Sequence, residues 1–183
     1  MGESVSVYVE SSEELEVECP LCGRKAVLRE ATYDLPNVGR ALLASLTCAH
    51  CGYRRADLVP LHTYRRRRIY YTVSDPEDLN ARVLRSSVAT VEIPELGVSI
   101  TPGAGAHFIV TNVEGILRLV QDAAKSIEVL GEGSTGFVDT IERLISRGGR
   151  FTLIIDDPWG VSFVEPPKEA RACKVLLEEV EAG

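Results

Sequence analysis

Two pairs of cysteines carry the strongest chemical signal in this sequence. Cys19 and Cys22 lie in CPLCG, and Cys48 and Cys51 lie in CAHCG. Two residues between paired thiols let one tight turn direct both sulfurs to the same point, and two such turns complete a tetrahedral Zn²⁺ site. The pattern predicts one structural zinc held by these four cysteines, with no coordination position left for water or substrate.

Oxidation is the other chemistry open to these thiols. Two disulfides would require an oxidising compartment, and the acidic N-terminal segment does not resemble a secretion signal. A single C-x-x-C could be a redox pair, but two pairs together favour a metal. His50, inside the second pair, is interpreted as a solvated loop residue, and Cys173 as a buried apolar residue.

Composition indicates an ordinary soluble globular protein. The 183 residues are 45% hydrophobic and 26% charged, and the formal net charge is -7. No apolar run reaches the length of a membrane span, so we expect a cytoplasmic location. The negative net charge argues against a general nucleic-acid coat but leaves room for a local basic patch.

A basic segment, YRRRRIYYTV, follows the cysteine-rich region. Arginines 65–68 could contact phosphates while the neighbouring tyrosines stack on bases. The favoured interpretation is a strand in which Ile69, Tyr71 and Val73 share the buried face and the arginine side is solvated or paired with acids. Nucleic-acid binding therefore remains the second hypothesis.

The second half of the chain contains a few residue types that enzymes use. The candidates are Asp156, Asp157, Ser162, His62 and His107. Adjacent strand residues point to opposite faces, so the two aspartates are not expected to share a proton. Asp157 precedes a proline and fits a turn acceptor better. We expect no enzymatic activity.

These groups must be positioned by short strands and turns. Thr111 and Glu114 form a capping box that opens a helix, and a second helix follows Ser134, which predicts a helical hairpin. The predicted order along the chain is a polar lead-in over 1–12, a zinc ribbon over 13–62, a strand-rich domain over 63–165 that contains the hairpin at 111–148, and a C-terminal helix over 166–183.

Several stretches in a fixed order together resemble a known family. They are CPLCG, CAHCGYR, Glu77–Asn80 with Arg85–Ser86, IPELGVSI, Thr111–Gly115 and Phe151–Pro158. In this order they are similar to the ZPR-one (ZPR1) zinc-finger domain over roughly residues 15–165. The family's zinc ligands fall on Cys19, Cys22, Cys48 and Cys51.

The resemblance implies an α+β, mainly β fold. A four-Cys zinc ribbon would be followed by a double-stranded β-helix, or jelly-roll-like, domain with an inserted helical hairpin. Eukaryotic members carry two such modules in tandem. This chain carries one, as the shorter archaeal members do.

The resemblance also implies a protein-binding role. Eukaryotic members bind the translation elongation factor 1-alpha GTPase, so a chaperone-like adaptor for that factor is the leading hypothesis. A zinc-ribbon nucleic-acid-binding protein of the transcription or translation machinery is the alternative. The partner surface is assigned to the second knuckle (Tyr53, Arg54, Arg55) and to the turn that contains Asp156, Asp157 and Ser162.

Overall fold

The computed structural model describes residues 9–35, 38–62, 64–103, 105–129, 136–168 and 174–180. The chain divides into two compact units, Met1–Tyr64 and Arg65–Gly183. The first unit contains the cysteine pairs. The second contains the strand-rich domain and both helices.

The first unit is a four-stranded antiparallel meander with the order β1-β2-β3-β4. Its strands are β1 (Val9–Glu18), β2 (Lys25–Leu35), β3 (Gly39–Thr47) and β4 (Arg54–Pro60). β1 begins at Val9, inside the segment expected to be a polar lead-in, because its residues from Val9 onward pair with β2. The long hairpins place the two cysteine knuckles at the β1–β2 and β3–β4 turns.

The second unit consists of two antiparallel sheets. The larger sheet has the strand order β12-β5-β10-β7-β8, and the smaller has the order β11-β6-β9. The larger sheet comprises β5 (Arg67–Val73), β7 (Thr90–Ile93), β8 (Val98–Ile100), β10 (Phe151–Asp157) and β12 (Val175–Glu179). The smaller comprises β6 (Arg82–Arg85), β9 (Ile109–Asn112) and β11 (Phe163–Glu165). One-turn 3-10 helices lie at Pro76–Asn80 and Pro94–Leu96.

Alternating strand residues build the core of the second unit. On β5, Ile69, Tyr71 and Val73 are buried, as the sequence predicted, and they pack in one cluster with Phe151 and Leu153 of β10. Arg68 and Tyr70 lie on the opposite side of β5. The mainly β, jelly-roll arrangement with a helical insert is thus confirmed, and burial of the alternate apolar residues drives it.

The predicted helical hairpin is present as α1 (Val113–Val129) and α2 (Phe137–Arg147). Its first cap differs from the prediction. The Asn112 side chain, rather than the Thr111 hydroxyl, accepts a hydrogen bond from the Gly115 amide at 2.8 Å. Thr111 pairs with Val83 in the β6–β9 ladder instead. The helix therefore starts one residue later than the capping box predicted.

The predicted C-terminal helix over 166–183 is wrong where the structure describes it. Residues 175–179 form β12, which pairs with β5. Leu176 and Leu177 fit a helical stripe with Val180, but the unpaired edge of β5 offers hydrogen bonds that outweigh this local preference. Cys173 lies outside the described residues.

Across the described ranges, neither helix has the length and apolar character needed to cross a bilayer.

Candidate zinc centre and candidate contact turns

The two cysteine turns have the same backbone hydrogen bonds. In the first, the Cys19 amide donates to the Arg24 carbonyl at 2.7 Å, and the Gly23 amide donates to the Cys19 carbonyl at 2.9 Å. The second turn repeats both bonds at equivalent positions, at 2.8 and 3.0 Å. Gly23 and Gly52 have φ values of 69° and 76°, in the left-handed region that glycine adopts most easily. The sequence therefore shapes two matching thiol-bearing knuckles.

The four sulfurs converge on one point. Cys19 Sγ lies 3.6 Å from Cys51 Sγ, and Cys22 Sγ lies 3.7 Å from Cys48 Sγ. All four sulfurs lie within 4.8 Å of one another. A disulfide requires about 2.05 Å, whereas a tetrahedron with Zn–S bonds of about 2.3 Å has edges of about 3.8 Å. The geometry fits a metal and excludes disulfides between these thiols.

The thiols also need a cation to ionise together. The backbone amide of Cys51 lowers the pKa of the Cys48 thiol to about 7. At Cys51 the Tyr53 amide acts in the same direction, but burial and the neighbouring thiols raise the pKa to about 12. A bound dication removes this conflict because it stabilises every thiolate at once.

The knuckles are also joined by a contact outside the sulfur cluster. Arg24 Nη1 lies 3.0 Å from His50 Nδ1, so the neutral His50 ring can accept a hydrogen bond from the other knuckle. His50 is exposed, as predicted, and among the described residues the group of possible metal ligands comprises the four cysteines. Four sulfurs fill the tetrahedron, and the site has no open position for a reacting group.

Comparison with known proteins places both units in one family. A family model described as the ZPR1 zinc-finger domain matches residues 12–61, and one described as the ZPR1 jelly-roll domain matches residues 77–181. The chain belongs to the ZPR1 family. The four converging thiols in the matched zinc-finger domain make this a structural zinc site.

Archaeal relatives align along most of their length. An uncharacterised ZPR1-like protein of Methanocaldococcus jannaschii is 34% identical over 91% of this chain and 89% of its own length. A second such protein, from Pyrococcus horikoshii, is 34% identical over 89% of this chain and 78% of its own. The zinc finger chaperone zpr1 of Schizosaccharomyces pombe is 30% identical over 80% of this chain but only 34% of its own length.

The second knuckle of this ZPR1 module offers exposed cations. Arg54 and Arg55 are exposed, and Arg55 Nη2 lies 4.0 Å from Asp57 Oδ2. Tyr53 is half-buried and packs against the cysteine cluster. Tyr53 therefore supports the knuckle, while the two arginines face outward.

The first knuckle presents a side chain that sequence reasoning did not single out. Leu21, between the first two cysteines, is 67% exposed. The sequence could have indicated this exposure, because the two residues between the cysteines of a C-x-x-C turn point away from the metal.

The turn after β10 separates the three residues assigned to the partner surface. Asp157 and Ser162 are buried, with exposed fractions of 0% and 1%. Their side chains cannot touch a partner while this turn is folded. Asp156 lies on the opposite face of the strand, as expected, but it is also buried, with 8% exposed, and its carboxylate accepts two hydrogen bonds from Arg66, at 2.8 and 2.7 Å.

Asp157 organises this turn by accepting four hydrogen bonds. Oδ1 accepts from the Ser86 hydroxyl at 2.8 Å and from the Trp159 amide at 2.9 Å. Oδ2 accepts from the amides of Val161 and Ser162, at 3.0 and 2.6 Å. The Ser162 hydroxyl then accepts from the Ser86 amide at 2.9 Å. The carboxylate is thus a structural acceptor for a turn, as its place before a proline suggested.

Proposed function

We propose that this ZPR1-family protein is a non-enzymatic, chaperone-like adaptor that binds a protein client in the cytoplasm. The observation that carries the proposal is the match of both units to ZPR1 domains, a family in which one relative is named a zinc finger chaperone. The four-thiol site supports the proposal, since a zinc ion bound by four cysteines holds the two knuckles rigid and has no coordination position left for a substrate.

The elongation factor 1-alpha GTPase is the client we propose. The proposal comes from the family resemblance of the sequence. The contact surface we assign is the tip of the zinc ribbon, formed by Leu21 of the first knuckle and by Arg54 and Arg55 of the second. An exposed leucine beside arginines supplies both an apolar anchor and a charge that steers acidic partners.

The turn after β10 contributes through its surface residues only. Pro158 is exposed, and Trp159 is half-buried against Phe108, with ring centroids 6.4 Å apart. Asp157 and Ser162 hold these residues in place from inside. Aromatic side chains held by such a turn are effective contact groups.

The alternative, nucleic-acid binding, loses support from the ion pairs of β5. Arg66 and Arg68 both reach Asp156, at 2.7 and 3.3 Å, and Arg67 lies 4.0 Å from Glu179. Arginines already paired with carboxylates are weak phosphate contacts. An electrophoretic shift at physiological salt tests this alternative, and tight, salt-dependent binding would revive it.

A pull-down of zinc-loaded full-length protein with the host's elongation factor 1-alpha, with and without GDP, tests the client. We expect a complex that Leu21→Ala and Arg54→Glu weaken. Arg29→Ala is the matched control, because Arg29 is exposed on β2 and its ion-pair partner among the described residues is Glu14, at 2.9 Å. No complex in either nucleotide state would reject this client, and equal loss in the control would reject the assigned surface.

A further inference from the structure

Arg85 is a buried arginine at the end of β6. Only 6% of it is exposed. It shares a face of the strand with Val83, a member of the hydrophobic core, because alternate strand residues point to the same side. Its side chain therefore lies on the core side of β6, at the end where this strand terminates.

The guanidinium makes one hydrogen bond to the described residues. Arg85 Nη2 donates to the His107 carbonyl at 3.2 Å, and Nε has no acceptor among the described residues. No carboxylate of the described residues lies within ion-pair distance of Arg85. Burial lowers its pKa, and no acidic neighbour counteracts this. Arginine has five N–H donors, so most of this binding capacity is unused.

Asp157, which lies beside Ser86, does not neutralise Arg85. Each of its oxygens already accepts two hydrogen bonds from Ser86 and the turn after β10. Arginines on the surface show the opposite pattern: Arg82, on the same strand and far more exposed, pairs with Glu165 at 3.3 Å. The exposed Arg82 thus has a counter-ion, whereas the buried Arg85 has none in the part of the chain that the structure describes, which inverts the usual rule for buried charges.

The surroundings of Arg85 suit a ligand. The connection between β8 and β9 provides the His107 carbonyl and contains the exposed Gly103 and Gly105. The Phe108 ring, which follows His107, stacks on Trp159. The open ends of β-barrels and sandwiches are common ligand sites, where a few polar groups converge beside apolar ones.

We propose that Arg85 anchors an oxyanion-binding site at this end of the jelly-roll unit, and that the site takes a carboxylate or phosphate group. A planar guanidinium with unused donors matches either group through paired hydrogen bonds. The inference goes beyond the client hypothesis, because it concerns a small anionic group and does not require a particular protein partner.

Titration of the zinc-loaded full-length protein with inorganic phosphate, and separately with acetate, tests the site against sodium chloride at equal ionic strength. The readouts are the Arg85 Nε–H signal in ¹⁵N NMR and the thermal midpoint. We expect a saturable shift of that signal and a raised midpoint in the millimolar range. A saturable response to phosphate identifies a phosphate site, and a response to acetate alone identifies a carboxylate site.

Arg85→Gln should weaken the apparent affinity about tenfold or more, while the control Arg82→Gln should retain the wild-type response. An equal response in Arg85→Gln would overturn the proposal. The wild-type NMR titration decides the matter even where the variant does not fold, because absence of a saturable Arg85 Nε–H shift with both anions also overturns it.

Discussion

The neighbouring aspartates at the end of β10 allow a matched test of the buried turn. Asp157→Asn and Asp156→Asn make the same chemical change one residue apart, on opposite faces of one strand. We expect Asp157→Asn to destabilise the second unit strongly and Asp156→Asn to have a small effect. The contrast follows from the hydrogen-bond partners of each carboxylate.

The loss of stability expected for Asp157→Asn comes from the backbone amides that donate hydrogen bonds to this carboxylate. With the remaining oxygen directed at Val161 and Ser162, the new amide faces the Trp159 N–H, whose lost bond costs about 1–3 kcal/mol. The two retained bonds also change from charge-assisted to neutral, which costs a further 1–3 kcal/mol, roughly. Relief of the buried charge offsets part of this sum, so we expect a net loss of about 2–4 kcal/mol.

The expected loss at Asp156 is smaller because its partners can return to water. The side chains of Arg66 and Arg68 are 48% and 37% exposed. An amide oxygen at position 156 still accepts one hydrogen bond from Arg66. Exposed ion pairs contribute about 0–1 kcal/mol, and because the Asp156 side chain itself is only 10% exposed, we expect a loss at the upper end of that range.

Urea unfolding monitored by tryptophan fluorescence measures both variants. Trp159 is the single tryptophan of the chain and lies within the turn itself, so it reports on the unit concerned. Zinc content should be equal in wild type and variants, which separates the turn from the metal site. Free energies of unfolding that agree within about 0.5 kcal/mol between the two variants would refute the reasoning.

Three further predictions concern other parts of the molecule. Cys48→Ser, or a strong chelator, should remove one equivalent of zinc and abolish amide-exchange protection in residues 9–62, since zinc in such small modules contributes about 10–16 kcal/mol. Gly115→Ala should lower the free energy of unfolding by about 1–3 kcal/mol in urea titration, because the added Cβ would lie 2.0 Å from Thr111 Oγ1. Burial raises the pKa of Asp78, but the ion pair with Lys174 and two backbone amides outweigh it and lower the pKa below 3.8. The stabilisation from Asp78 is therefore full above that pH and is lost as the pH falls further, a decline that Asp78→Asn should not show in urea unfolding.

The zinc centre was predictable because its geometry is encoded locally. Two residues between thiols and a glycine after each pair determine each knuckle, and the matching turns at Cys19 and Cys48 follow directly. The β5 strand was predictable for a similar reason, since the alternation of Ile69, Tyr71 and Val73 is a local pattern. In both cases neighbouring residues specify the result.

The parts that could not be predicted depend on distant residues. β12 is a strand because β5, about a hundred residues earlier in the chain, offers an open edge; locally, Leu176, Leu177 and Val180 suit a helix equally well. The burial of Asp157 depends on Ser86, 71 residues away. The alternation of strand residues correctly placed Asp156 and Asp157 on opposite faces, but it could not show that both carboxylates are buried.

The two units solve the same physical problem with different chemistry. A turn that presents backbone amides to the interior needs an acceptor or a covalent constraint, because unpaired buried amides are costly. In the zinc ribbon, the metal provides the constraint, and the knuckle tips with Leu21 and Arg54 are held outward. In the jelly-roll unit, Asp157 provides the acceptor. Trp159 is held in place because its backbone amide donates a hydrogen bond to the Asp157 carboxylate. Rigid turns lose little conformational entropy on binding, which is the physical reason for proposing these two tips as contact surfaces for a client.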